Sequence, residues 1–360
     1  FTLGAISGTV TEGGSTATFT VVLNAQPDSN VVISVTSGDT GEATVSAANL
    51  TFTNANWNSA QTVTVTGVDD NLVDGNINTT ITMAVVDASS DDNFDDVANQ
   101  TVTATTTDDD TAGFTLSKTT ATVSEGADTD TYTVVLNAQP DSDVVITVTS
   151  ADTGEVTVSA AELTFTNGNW NSAQTVTVTG VDDNLVDGSV NTLVTMAVKD
   201  ASSDDNFDGV SDQTVTVTTT DNDTAGFTLS STTATVTEAA GGGNTATYTV
   251  VLNAQPDSDV VISVTSADTG EVTVSSGTLT FTNGNWDTPQ TVTLTGVDDN
   301  VIDVDTQTTV TMAVVDNDSD DNFDSVANQT VTVTTTDNDT AAFTLGAISG
   351  TVTEGGSTAT

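Results

Sequence analysis

The 360 residues contain no cysteine and no histidine, and only two basic side chains, Lys118 and Lys199. Without cysteine there are no disulfides and no thiol nucleophiles. Without histidine, imidazole acid–base catalysis and the usual zinc ligands are missing as well. Phosphate backbones and anionic membrane surfaces are held by Lys and Arg that displace counterions, so nucleic acid and membrane surfaces are excluded as natural partners. No apolar run is long enough to span a bilayer, and no charged-then-apolar start reads as a secretory leader. Phe1 in place of a starting Met is read as the start of a processed chain or of a segment of a longer one. What is abundant is negative charge. Fifty-one acidic residues give a formal net charge of −49, so the expected partners are cations. Such a charge commonly goes with disorder. Here mean hydropathy is only −0.04 and 36% of the residues are hydrophobic, arranged in alternating runs, so the chain is expected to fold.

The sequence repeats itself. FTLGAISGTVTEGG at Phe1, FTLSKTTATVSEGA at Phe114, FTLSSTTATVTEAA at Phe227 and FTLGAISGTVTEGG again at Phe343 open successive repeats at spacings of 113, 113 and 116 residues. The three extra residues fall between Glu238 and Tyr248, as one enlarged surface loop. The expected domains are therefore 1–113, 114–226 and 227–342. Residues 343–360 reproduce residues 1–18 and are expected to form the first strand or strands of a fourth repeat. Within a repeat the pattern has period two and is rich in Val and Thr, which suit a pleated surface. In 131–137, Tyr132, Val134 and Leu136 share one face, and in 144–149 Val144, Ile146 and Val148 do the same. Further runs at 163–166, 175–179, 192–198 and 213–220 bring the count to about seven short strands. Turn clusters such as Gln139-Pro140-Asp141 separate them, and no segment has helical periodicity. Tandem Ig-like antiparallel β-sandwiches, all-β and in linear array, are the predicted fold.

If the strands simply reverse direction, alternate loops go to opposite ends of each sandwich. Of the eighteen acids in the second repeat, ten then fall at the pole where the chain leaves: Glu125, Asp128, Asp130, Asp152, Glu155, Asp182, Asp183, Asp187, Asp221 and Asp223. Seven fall in loops at the opposite pole, and only Glu162 lies near a strand. Crowding of this kind is costly. Two carboxylates about 4 Å apart repel by roughly 4 kcal/mol at an effective dielectric of 20. Whole domains are stable by only about 5–15 kcal/mol. A divalent cation reverses the sign, and Ca²⁺ fits best because it takes several hard oxygen ligands in flexible geometry. In Asp182-Asp183-Asn184-Leu185-Val186-Asp187 two adjacent side chains and one four positions later can converge when the loop curls, with a carbonyl near Leu185 as a further ligand.

At these residues the chain resembles the Calx-beta repeat. The resemblance rests on the Ser/Thr-Glu-Gly or -Ala after the first strand, the VDDNLVDG loop and the closing TDDDTA or TDNDTA, and it covers each complete repeat. It implies an exit-pole cluster that binds several Ca²⁺ ions. Its ligands would be Glu12, Asp69, Asp70, Asp74, Asp108, Asp109 and Asp110 in the first repeat and Glu125, Asp182, Asp183, Asp187, Asp221 and Asp223 in the second. In the third they would be Glu238, Asp298, Asp299, Asp303, Asp337 and Asp339. From the third loop, SADTGEVTVS in the second repeat, either Asp152 or Glu155 is the ligand. Asp152 is preferred, with its counterparts Asp39 and Asp268. The chain departs from the family pattern after the fifth loop, where it has Gly75-Asn76, Gly188-Ser189 and Val304-Asp305. It also has Asn222 and Asn338 where the first repeat has Asp109. An amide there still coordinates through its carbonyl.

Other features read more simply. The loop from Asp200 to Gly209 resembles a solvated hairpin tip. Trp57, Trp170 and Trp286 fit core plugs better than sugar platforms, and Met83, Met196 and Met312 fit the core. The expected function is structural. Calcium would convert a string of repeats into a stiff rod or filament of a giant extracellular or cell-surface protein, with a bacterial origin expected, serving adhesion or matrix. The partners would be calcium ions, neighbouring repeats and identical chains in a fibre. The alternatives are an acidic surface-layer protein of halophile type without specific metal sites, and a filament subunit in which 343–360 completes a neighbour's sheet. No enzymatic role is expected, because the acids recur in every repeat and no single pocket stands apart from its counterparts.

Overall fold

The first repeat converts its Val/Thr alternation into nine strands: β1 (Thr2–Leu3), β2 (Val10–Thr11), β3 (Thr16–Val22), β4 (Val31–Ser37), β5 (Ala43–Val45), β6 (Asn49–Phe52), β7 (Gln61–Gly67), β8 (Ile77–Val85) and β9 (Gln100–Thr107). They form a four-stranded sheet in the order β1-β3-β7-β5 and a five-stranded sheet in the order β2-β9-β8-β4-β6. The inward positions are apolar and buried: Ala17, Phe19 and Val21 on β3, Val31, Ile33 and Val35 on β4, and Ile81 and Met83 on β8. The intervening Thr and Ser residues face outward, as period-two patterning requires. The ladders are antiparallel except β2 on β9, which is parallel, with Val10 opposite Thr106 and Thr11 opposite Thr107. The chain thus opens in one sheet and crosses to the other within a few residues.

The structure is a computed structural model and describes residues 1–239, 244–352, 354–356 and 358. The second and third repeats carry the same two sheets in the same order. Nine strands stand where about seven were predicted. The opening segment splits between the two sheets, as in Phe114–Leu116 and Thr120–Ser124, and the three-residue Val156–Val158 is too short to show alternation. The enlarged loop expected between Glu238 and Tyr248 lies partly outside the described residues. Among the described residues after Phe343 none lies in a strand, and Phe343, Leu345, Ile348 and Val352 are exposed.

The chain divides into two compact units, residues 1–181 with 191–219, and residues 182–190 with 220–360. The first holds two sandwiches and the second holds the third. In the first unit the loop after β7 reaches out of its own repeat, and Val73 is buried in the core of the second sandwich. Leu72 bridges to Gln139. The Gln139 amide donates to the Asn71 carbonyl at 2.7 Å, and the Val73 amide donates to the Gln139 carbonyl at 3.0 Å. Asn206 Nδ2 closes the clasp on the Val73 carbonyl at 2.7 Å. The second unit contains the same clasp. Val186 is buried in the core of the third sandwich, Leu185 bridges to Gln255, and Asn322 Nδ2 donates to the Val186 carbonyl at 2.7 Å.

Candidate metal centre

The site of the first repeat is built around Glu12, the residue immediately after β2. At the end of β7, Gly67 lies against this strand end, and a Cβ there would run into the Thr11 carbonyl. Only glycine allows so close an approach. The same approach recurs between Gly296 and Thr237. Glu12 is thereby tucked between the sheets at 1% exposure, its amide donating to the Thr107 carbonyl at 3.2 Å. Glu42, also buried, enters from the turn before β5, held by the Val68 amide on its carbonyl at 2.9 Å. Asp74 comes from the loop between β7 and β8, and Asp109 and Asp110 from the segment after β9. Asp108 fastens these last two segments together: one oxygen accepts from the Gly75 amide at 2.8 Å and the other from the Asp110 amide at 2.8 Å.

Two groups of carboxylates result, each with ligand oxygens within 4.8 Å of one another: Glu12, Glu42 and Asp74, and Glu12, Asp109 and Asp110. The buried Glu12 belongs to both. In the second compact unit the third sandwich repeats the pattern with Glu238, Glu271 and Asp303, and with Glu238, Asp337 and Asp339. Among the described residues no hydrogen-bond donor reaches Glu12 Oε2, Glu42 Oε2, Asp74 Oδ1, Glu238 Oε2, Glu271 Oε2, Asp303 Oδ1 or Asp339 Oδ2, all of which are buried. Buried polar atoms are nearly always partnered, and a buried charge needs a counter-charge. Burial, helped by Asp108, Asp70, Asp74 and Glu42, pushes the Glu12 carboxyl up to about 7. Burial likewise raises Glu42 and Asp74, and it raises Asp110 with Asp108 beside it. In the third sandwich burial raises Glu238 and Glu271, each facing Asp303, and Asp339, facing Asp337.

Of the residues singled out from the sequence, the structure brings together Glu12, Asp74, Asp109 and Asp110, and likewise Glu238, Asp303, Asp337 and Asp339. Asp70 and Asp299 instead shape their loops, accepting from the amides of Leu72 and Val301 at 2.7 and 2.6 Å. Asp69 is exposed, and Asp298 accepts from Asn338 Nδ2 at 3.3 Å. Asp39, Asp152 and Asp268, preferred from the third loop, lie outside these trios. Each folds its carboxylate back onto the amide two residues on, at Gly41, Gly154 and Gly270, in an Asx turn at 2.8–2.9 Å. Within the trios the third loop is represented by Glu42 and Glu271.

The residues of the second repeat are divided between the compact units. In the first, Glu125 is 1% exposed and the Val181 amide donates to the Glu155 carbonyl. In the second, Asp221 ties Gly188 and Asp223 as Asp108 ties Gly75 and Asp110, at 2.9 and 2.6 Å. Asp183 accepts from the Leu185 amide, and Asn222 Nδ2 donates to Asp182. Burial raises Asp187, with Asp183 and Asp221 nearby, and Asp223, with Asp221 nearby. Val304 stands where Gly75 and Gly188 have φ of 75° and 76°, and it holds φ 114°. That region is unfavourable to a β-branched residue.

The acids of the opposite pole are differently employed. Asp91 is buried but satisfied: its oxygens accept from the amides of Asp28, Ser29 and Asn93, which hold its carboxyl below the usual range. Asp204 and Asp320 cap the equivalent 3-10 turns. This loop is a hairpin tip built on backbone donors. The three Trp pack on the sandwich cores. Met196 and Met312 are buried and accept from the Tyr132 and Tyr248 hydroxyls at 3.0 Å. Both lysines are paired on strand faces, Lys118 with Asp130 and Lys199 with Glu162.

No protein-family model matches the sequence, and no curated protein sequence matches it. Solved structures similar to the chain include CBD12 from CALX1.2, at 14% identity over 61% of this chain and 99% of that one, with a TM-score of 0.28. The Calx CBD1 domain in its apo form is 15% identical over 32% of this chain and all of that one, at 0.25. Domains 4 and 5 of the S-layer protein SbsC are 18% identical over 63% and 99%, at 0.27.

Proposed function

We propose that this chain is a calcium-binding array of structural repeats from an extracellular or cell-surface protein, stiffened by Ca²⁺ at the exit pole of each repeat. One observation carries the reading: in the first and third sandwiches a buried glutamate joins two carboxylate trios whose inner oxygens have no donor among the described residues. An acidic surface evolved only for solubility or salt tolerance has no reason to bury its charges against one another. Hard carboxylate oxygens and loops that can adjust suit Ca²⁺ better than the stricter octahedron of Mg²⁺. Cation binding to the native loops is folding energy, about 2.7 kcal/mol per site at a hundredfold excess over Kd.

The test is thermal unfolding of the chain in CaCl₂, in EDTA, and in EDTA with molar NaCl. A rise in midpoint with Ca²⁺ that NaCl does not reproduce is expected. Equal rescue by NaCl means that the acids are merely screened, and the halophile-type surface protein replaces this reading.

A further inference from the structure

We propose that Asn167 and Asn283 are sites of spontaneous deamidation, and that their conversion loosens the clasp seated beside each of them. Asn-Gly occurs twice in the sequence, at Asn167-Gly168 and Asn283-Gly284, and the first repeat has Asn54-Ala55 in the same place. Asparagine is thermolabile. The backbone nitrogen that follows it can attack its side-chain carbonyl carbon, and glycine has no Cβ to obstruct the approach. In both turns the asparagine and the glycine are exposed, and nothing lies closer to the place of a Cβ on the glycine than a threonine Oγ1, at 3.9 and 4.0 Å. The attacking nitrogen is held by a long hydrogen bond of 3.3 Å to that same threonine, Thr166 or Thr282. The first repeat is a built-in control. The Ala55 amide makes the same 3.3 Å bond to Thr53 Oγ1, so only the Cβ differs.

The reaction needs only water. The Gly168 nitrogen bonds to Asn167 Cγ, the Cγ–Nδ2 bond breaks, and the side-chain nitrogen leaves as ammonia with the proton that the backbone amide gave up. Water then opens the succinimide ring at either carbonyl, giving aspartate or isoaspartate. What is lost is a strut of the clasp. Asn167 Nδ2 donates to the Pro140 carbonyl at 3.2 Å, and Gln139 Nε2 donates to the Asn167 carbonyl at 3.0 Å. The Gln139 backbone is the one that holds Asn71 and Val73. In the second compact unit Asn283 Nδ2 donates to the Pro256 carbonyl and Gln255 Nε2 to the Asn283 carbonyl, both at 3.3 Å, and the Gln255 backbone holds Asn184 and Val186. Conversion replaces an amide donor by a carboxylate that only accepts, so acceptor then faces acceptor. Asp141 and Asp257, which follow these prolines, add like charge. A single exposed hydrogen bond is modest, so the clasp opens locally while the sandwiches stay folded. None of the clustered carboxylates takes part, and the reaction does not require calcium.

Incubation of the whole chain at mildly alkaline pH, followed by peptide mass spectrometry covering residues 54, 167 and 283, tests the proposal. Asn167 and Asn283 are expected to gain the mass difference between amide and acid several times faster than Asn54. Gly168→Ala, which copies the first repeat, is expected to protect Asn167, and Ala55→Gly to make Asn54 as labile as the other two. In the aged chain, hydrogen exchange at the Val73 and Gln139 amides is expected to be faster than in fresh protein, and Asn167→Asp to reproduce that change without ageing. Equal conversion at all three asparagines overturns the proposal, as does an Asn167 that stays intact in the folded chain while converting in urea. Conversion that leaves exchange at Val73 and Gln139 unchanged overturns the loosening of the clasp.

Discussion

Glu12 sits at the junction of two carboxylate groups with almost no exposure, and its ordinary solvation has been given up. Without a cation the native state holds its proton more tightly than the unfolded chain does, so stability falls as pH rises from about 4.5 through about 7. Thermal midpoints in EDTA on either side of that window should show the loss, and Ca²⁺ should abolish it. Glu12→Gln keeps the shape and removes the charge. It should raise the cation-free stability at neutral pH by about 2–3 kcal/mol, the worth of a pKa displacement of this size, while flattening the pH dependence. The same variant should reduce Ca²⁺ binding, read by calorimetry, because both trios lose a charged ligand. Asp39 and Glu42 show what sequence alone could and could not resolve at this scale. They lie three residues apart in one loop, and either can supply an oxygen. Glu42 joins the trio with Glu12 and Asp74, whereas Asp39 accepts from the Gly41 amide in an Asx turn, a competition between side chain and backbone that composition and spacing do not display.

The strands of the long runs were legible because a buried face and a solvated face alternate without interruption, as in Tyr132, Val134 and Leu136. The two-residue β1 and β2 were not, since two residues cannot express a period and the sheet each joins is chosen by its pairing partner, for β2 a strand about a hundred residues away. The clasp formed by the loop after β7 was equally hidden. Leu72 and Val73 read as part of an acidic loop, and nothing local says that Val73 belongs to the core of another sandwich. Its burial is nonetheless energetic. Val73→Ala removes two carbons from that core and should cost about 1–2 kcal/mol. Hydrogen exchange should report it as faster exchange of the Val73 and Gln139 amides, with the core amides of β3 and β8 unchanged.

Across the whole chain, a repeated acidic motif at fixed spacing was enough to expect three sandwiches and an acid-rich pole in each, while the apolar clasps and the employment of Asp91 as a cap emerged only from the fold. The parallel pairing of β2 with β9 joins the opening and closing segments of one sandwich directly. If the ends of a repeat are pulled apart, parallel strands of this kind must slide along each other, so their hydrogen bonds are loaded in shear and break together rather than one after another. The pairing covers two residues in the first repeat and five in the third, Thr233–Thr237 on Thr332–Thr336. Stretching single molecules should therefore produce a graded series of rupture events in which the first repeat yields at lower force than the third, giving the array a built-in order of mechanical failure.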